Sequence, residues 1–229
     1  MGRYSTDPQT IQQSPVTPTG PILSSNPFSS SPAMPMQQGQ QQNPMAGWPT
    51  SFPKPVVGLD IRGILIDCDD VTQVRPIPGA LEAVRLLRLK GHKVFLLGDY
   101  PEISAGKITQ TQVDANHNTL MQLLGQVGCF SIDGMLYNMS SMKEDTFAKP
   151  NTGMMKRATN EFKINWKEGW FVGDDIDDLK MADRGGCKPV LILTGKGNET
   201  VPKLDSFANR ELKKKVRIFP NLLSFVQSL

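Results

Sequence analysis

The stretch Gly63-Ile64-Leu65-Ile66-Asp67-Cys68-Asp69 joins a short apolar run to two acids one residue apart. A brief run of β-branched residues and leucine bounded by turn formers reads as a buried strand, so a strand is expected over Ile61–Ile66. Its carboxyl end would deliver Asp67 and Asp69 into a loop, at the edge where open α/β sheets bind ligands. Paired carboxylates alone are common on surfaces. Three later features supply a chemical context: Lys149-Pro150 ahead of a helix, Gly173-Asp174-Asp175 after another apolar strand, and Asp178 four residues beyond Asp174. A lysine and two separated acidic strand ends are what phosphoryl transfer at a divalent cation requires.

Outward from this stretch, strand and helix patterns alternate. Helices are expected over Pro78–Lys90, Asp114–Gln126, Thr152–Phe162, Asp177–Arg184 and Asn221–Leu229. In the first of these, Leu81, Val84 and Leu87 recur at helical spacing and Gly91 supplies the stop. Strands are expected over Val94–Leu97, Cys129–Ile132, Trp170–Val172, Pro189–Leu193 and Val216–Phe219. Strands separated by helices imply right-handed crossovers and a mainly parallel sheet with helices on both faces. The expected class is therefore α/β, doubly wound. The segments between the motifs are too short for a large cap domain.

Composition divides the 229 residues unevenly. Residues 1–55 are dominated by Pro, Gln, Ser, Thr, Asn and Met, including Gln37-Gln38-Gly39-Gln40-Gln41-Gln42. Such a segment buries too little apolar surface to offset its ordering entropy, so a disordered tail is expected, with docking on a larger assembly as the alternative. It has no basic start followed by an apolar core, so it does not read as a secretory signal. Residues 56–229 are of a size for one domain. Cys68, Cys129 and Cys187 show no paired spacing, which points to reduced thiols and a cytoplasmic setting. No stretch approaches the roughly 20 apolar residues of a membrane span. A net charge of +3 is too slight to argue for nucleic acid. The cluster Lys213-Lys214-Lys215 with Arg217 reads as a solvated helix end, and His117, in a polar helix, is expected to be exposed.

Taken in order, the motifs resemble those of the haloacid dehalogenase superfamily of phosphatases. The first motif, an apolar strand followed by D-x-D, is matched at Ile64-Leu65-Ile66-Asp67-Cys68-Asp69. The third is matched at Lys149 in Ala148-Lys149-Pro150-Asn151-Thr152-Gly153-Met154, and the fourth at Gly173-Asp174 with Asp178. The K-P-x-x-G-M form, with Pro76 and Pro78-Gly79 after the first motif, resembles the branch of histidinol, heptose bisphosphate and polynucleotide 3′-phosphatases. The resemblance implies Asp67 as nucleophile forming an aspartyl-phosphate, Asp69 as acid and base, and Lys149 as the neutraliser of phosphoryl oxygens. It implies Mg²⁺ on Asp67, Asp69 and Asp174, with Asp178 buttressing the metal loop and Asp175 as an alternative ligand. It also implies a small phosphate ester, or a phosphate on a larger molecule, as substrate.

The family pattern is broken in three places. Gly98-Asp99 stands where a Thr or Ser usually holds the phosphate, leaving Gly98 and Asp99 as the phosphate-side residues. Asp70 replaces a usual glycine. Tyr137–Phe147 carries no Cys or His, so no zinc is expected. The expected function is Mg²⁺-dependent phosphate monoester hydrolysis, and the alternative is a weak or inactive phosphatase-like domain kept as a binding module. A chain beginning at residue 55 should keep the melting temperature of the full chain; a drop of several degrees by calorimetry would mean that the tail packs on the domain.

Overall fold

The computed structural model describes residues 55–67 and 72–229. Residues 1–54 of the expected tail, and Cys68, Asp69 and Asp70, lie outside the described residues. Six strands form one parallel sheet: β1 (Val57–Leu59), β2 (Val94–Asp99), β3 (Gly134–Asn138), β4 (Trp170–Gly173), β5 (Lys188–Ile192) and β6 (Arg217–Phe219), in the order β3-β2-β1-β4-β5-β6. The connecting helices are α1 (Ala80–Leu89), α2 (Gln110–Gln126), α3 (Gly153–Phe162), α4 (Ile176–Arg184), α5 (Gly197–Leu204), α6 (Arg210–Lys213) and α7 (Leu222–Gln227). The chain fills one half of the sheet from β1 to β3, then crosses back to β4 and fills the other. This doubly wound order puts a switch point between β1 and β4, and ligands bind in the crevice beyond the carboxyl ends of such strands.

Successive strand residues point to opposite faces, and the core divides accordingly. Val57, Leu59, Leu96 and Val172 pack with α1, α2 and α7 through residues such as Val84, Leu124 and Phe225. Phe95, Leu97 and Phe171 pack on the other face with Met154, Met155 and Met181 of α3 and α4. Among the described residues no helix is long and apolar enough to cross a membrane.

Most expected elements recur with small changes of boundary, but the deciding stretch does not form the expected strand. The central strand is Val57–Leu59, paired with β2 on one side and β4 on the other. Ile64, Leu65 and Ile66 are buried in a closed turn instead, where the N–H groups of Leu65 and Ile66 donate to the Ile61 carbonyl at 3.0 and 3.1 Å. A short buried apolar run has the same composition in either conformation, so periodicity does not separate them. The strand expected over Cys129–Ile132 forms instead at Gly134–Asn138, where pairing with β2 overrides the weak strand preference of Gly and Asn. Helix α5 was not anticipated, because Gly197 and Pro202 interrupt its pattern.

Leu65 is fully buried. Leu65→Ala should therefore cost about 2–5 kcal/mol, as a core truncation does, by chemical denaturation. A cost within experimental error would show that this turn is not part of the core.

Candidate active site

Asp60 is the first residue past β1, so it sits at the switch point. Its N–H donates to the Val172 carbonyl of β4 at 2.9 Å, and its Oδ1 accepts the Ile61 N–H at 2.8 Å. The next strand across, β4, ends by delivering Asp174, which is buried. Its Oδ2 accepts the N–H of Lys196 at 2.7 Å. The carboxylate rests against Gly63 and Gly195, where an added Cβ would lie 2.1 and 2.2 Å from Asp174 Oδ2. Both glycines have positive φ, 78° and 52°, so any side chain there would be strained as well as blocked.

Helix α4 opens with Asp175 as its N-cap and Asp178 closing a capping box. Asp178 Oδ2 accepts the N–H groups of Asp174 and Asp175, each at 3.2 Å. Its other oxygen faces Lys149. The Lys149 Nζ lies 2.7 Å from Asp60 Oδ1 and 2.7 Å from Asp178 Oδ1, with the lysine side chain 6% exposed. An ammonium is tolerated at such depth only when paired. Burial by itself lowers the Lys149 pKa, but Asp178 and Asp60 outweigh it and the net shift is upward.

Carboxylates outnumber that ammonium. Oxygens of Asp60, Asp174 and Asp178 all lie within 4.8 Å of one another. Burial first, and then the charge of Asp60, push Asp174 up to about 7 and Asp178 up to about 6. A buried cluster of hard oxygens with surplus negative charge is the donor set that Mg²⁺ takes.

The structure therefore brings Lys149, Asp174 and Asp178 together, as the motif spacing implied, and adds Asp60. It does not bring Asp67 to them. Asp67 follows the buried turn, its N–H donates to the Arg75 carbonyl at 2.8 Å, and it does not line the cleft. The acid just past the central strand is Asp60, not Asp67 as the expected strand over Ile61–Ile66 would have placed it; Asp69 lies outside the described residues. Sequence reasoning missed Asp60, although Val56-Val57-Gly58-Leu59-Asp60 is a second apolar run ending in an acid. Residue 62, where a D-x-D beginning at Asp60 would have its second acid, is arginine.

Arg62 is held on the β2 side of the cleft. Its Nη1 donates to Glu102 Oε1 at 2.9 Å, its Nη2 to the Asp99 carbonyl at 3.3 Å, and the guanidinium lies 5.3 Å from the Tyr100 ring centroid. Asp99 also lines the cleft, but both its oxygens are engaged: Oδ1 accepts from Asn138 Nδ2 at 2.6 Å and Oδ2 from the Lys149 N–H at 3.2 Å. Burial raises its pKa. At Gly98 an added Cβ would lie 2.8 Å from Tyr100 Cε2 and 3.0 Å from Ile61 Cδ1, so the missing hydroxyl cannot be restored there without moving both. Behind this wall His117 is buried, not exposed as expected, with its Nε2 2.9 Å from the Tyr100 hydroxyl. Asp175, expected as an alternative ligand, caps α4 and faces Lys196 and Lys203.

Comparisons with known proteins agree with this geometry at the level of family. The model of the HAD-hydrolase-like family matches residues 146–216. The chain is 30% identical over 175 residues to a D-glycero-beta-D-manno-heptose-1,7-bisphosphate 7-phosphatase of Neisseria meningitidis, covering 74% of this chain and 91% of that one. A Pseudomonas aeruginosa protein of the same name is 30% identical over 152 residues, covering 63% and 84%. The fold superposes on the D,D-heptose 1,7-bisphosphate phosphatase of B. bronchiseptica, complexed with magnesium and phosphate, with a TM-score of 0.69 at 20% identity, covering 76% of this chain and 97% of that one.

The raised carboxylates set a pH dependence. A carboxyl group that holds its proton more tightly when folded stabilises the fold fully below its unfolded value of about 4. That contribution is lost as pH rises through about 7 for Asp174. The melting temperature of the metal-free chain should therefore fall between about pH 5 and about pH 8, and Mg²⁺ should raise it far more at the upper value, because protons compete for the same oxygens. An equal Mg²⁺ effect at both would contradict the cluster as a cation site.

Proposed function

The chain belongs to the haloacid dehalogenase superfamily, among its phosphoric monoester hydrolases, and on that premise we propose that Asp60 is the nucleophile of a Mg²⁺-dependent phosphatase. The observation that carries this reading is the position of Asp60, beyond the central strand and 2.7 Å from the buried Lys149 ammonium. Asp60 attacks phosphorus in line, forming an aspartyl-phosphate that water then hydrolyses. Lys149 neutralises charge as the phosphoryl oxygens approach. Asp178 holds Lys149 and, through two backbone N–H groups, the turn that carries Asp174.

The donor set fits a divalent cation. Asp60 and Asp174, with Asp178 behind them, would hold Mg²⁺, which supplies charge neutralisation for the phosphoryl group when bound. The substrate reading is a small phosphate ester or a phosphate on a larger molecule. An open cleft supports it: each described connection between β1 and β3 holds one helix, α1 or α2, and no cap. The free thiols Cys129 and Cys187 suit a cytoplasmic setting.

Paired variants test the nucleophile. Asp60→Asn should lower Mg²⁺-dependent hydrolysis of p-nitrophenyl phosphate by more than about 10³-fold, as removal of a nucleophile does, whereas Asp67→Asn should stay within about threefold of the parent. The reverse pattern would return the role to Asp67.

A further inference from the structure

The cleft has an unusual inventory of proton donors. It is lined by carboxyl groups, yet each has a structural partner. Asp60 and Asp178 share Lys149, Asp174 accepts from the Lys196 N–H, and Asp99 has both oxygens occupied. Asp175 caps α4, and Asp177 faces Lys180. Among the described residues no histidine lines the cleft. The wall opposite the acids, on the β2 side, instead carries Arg62.

Arg62 is built in rather than loosely placed. Glu102, the Asp99 carbonyl and the Tyr100 ring hold its guanidinium from three directions, and its side chain is 20% exposed. The two hydrogen bonds use two of its five N–H groups. Glu102 does not line the cleft and serves as the anchor. A guanidinium stays protonated wherever the protein is folded, so it cannot transfer a proton to an oxygen. It can stabilise an anion that forms beside it.

We infer that Arg62 makes this site selective for phosphates whose leaving oxygen departs as a stable anion, namely acyl phosphates and esters of acidic phenols, over phosphates of weakly acidic phenols and ordinary alcohols. The inference rests on Asp60 as nucleophile. In the first step the bond between an Asp60 oxygen and phosphorus forms while the bond from phosphorus to the leaving oxygen breaks. The electron pair stays on that oxygen, which leaves unprotonated beside Arg62. In the second step water attacks phosphorus, the bond to Asp60 breaks, and the electrons return to the carboxylate. The water proton passes to the phosphate product or to solvent. Asp60 is itself the carboxylate of an acyl phosphate here, so its departure needs no acid. An alcohol does need one, and in the described cleft Asp174 is assigned to the cation while the other carboxyl groups face lysines or backbone N–H groups.

The test compares p-nitrophenyl phosphate with phenyl phosphate, in Mg²⁺, on the full chain and on Arg62→Lys, Arg62→Gln and Arg62→Asp. The parent should favour the nitrophenyl ester by about 10²-fold or more, since a missing general acid costs on that order. Arg62→Lys should keep that preference. Arg62→Asp, which restores a carboxyl group, should narrow it to within about tenfold by accelerating the phenyl ester. A parent that cleaves both esters at similar rates would overturn the inference while leaving Asp60 as nucleophile intact. If Arg62→Asp does not melt cooperatively, Arg62→Gln decides: a loss of at least about tenfold on the nitrophenyl ester supports the role of the charge, and an unchanged rate overturns it. If no protein hydrolyses either ester, and intact-mass measurement with acetyl phosphate finds no phosphorylated chain, the phosphatase reading itself falls and takes the inference with it.

Discussion

A buried ammonium, Lys149, sits 2.7 Å from carboxylates on two separate elements, Asp60 after β1 and Asp178 in α4. Moving three such charges out of water is costly, and their mutual attraction offsets that cost only when the geometry is close and the remaining lone pairs are bonded. Both carboxylates are also hydrogen-bonded: Asp178 accepts two backbone N–H groups and Asp60 accepts one. Removing one partner of such a pair typically costs about 3–5 kcal/mol, so the arrangement constrains α3, α4 and β1 together. The loop that carries Lys149 also presents its N–H to Asp99, which ties β2 to the same point.

The same constraint prepares the chemistry. Packing acids beside one lysine leaves surplus negative charge, which adds to burial in raising Asp174 and Asp178. A divalent cation held there would relieve that charge, and Lys149 is placed to meet the oxygens of a phosphoryl group. Gly63 and Gly195 make room for Asp174 by lacking side chains. On the opposite wall Gly98 and Asp99 stand at the tip of β2, and Arg62 faces the cleft from beside Tyr100.

Much of this was legible in the chain. The alternation of helix and strand implied a doubly wound sheet, and Lys149, Asp174 and Asp178 stood out because each lies at an element boundary that punctuation residues mark. The first acid was not legible, for a physical reason. Two apolar runs ending in acids lie in tandem, at Val56–Asp60 and Ile64–Asp67, and burial selects for the same residues in a strand and in a packed turn. Only pairing with β2 and β4 distinguishes them, and pairing is a long-range property. In sequence, Asp67 is followed by a second acid at Asp69, whereas Asp60 is followed at the same spacing by Arg62. The burial of His117 against Tyr100 was hidden likewise, since a polar helix pattern does not reveal which neighbour fills the space above it.

The central claim is that the acid beyond β1, Asp60, forms the bond to phosphorus. Reduction of the acyl phosphate with borohydride converts a phosphorylated aspartate to homoserine, and peptide sequencing then locates it. After incubation with acetyl phosphate and Mg²⁺, the account predicts homoserine at position 60 and aspartate at position 67. Homoserine at position 67, with aspartate retained at 60, would contradict it.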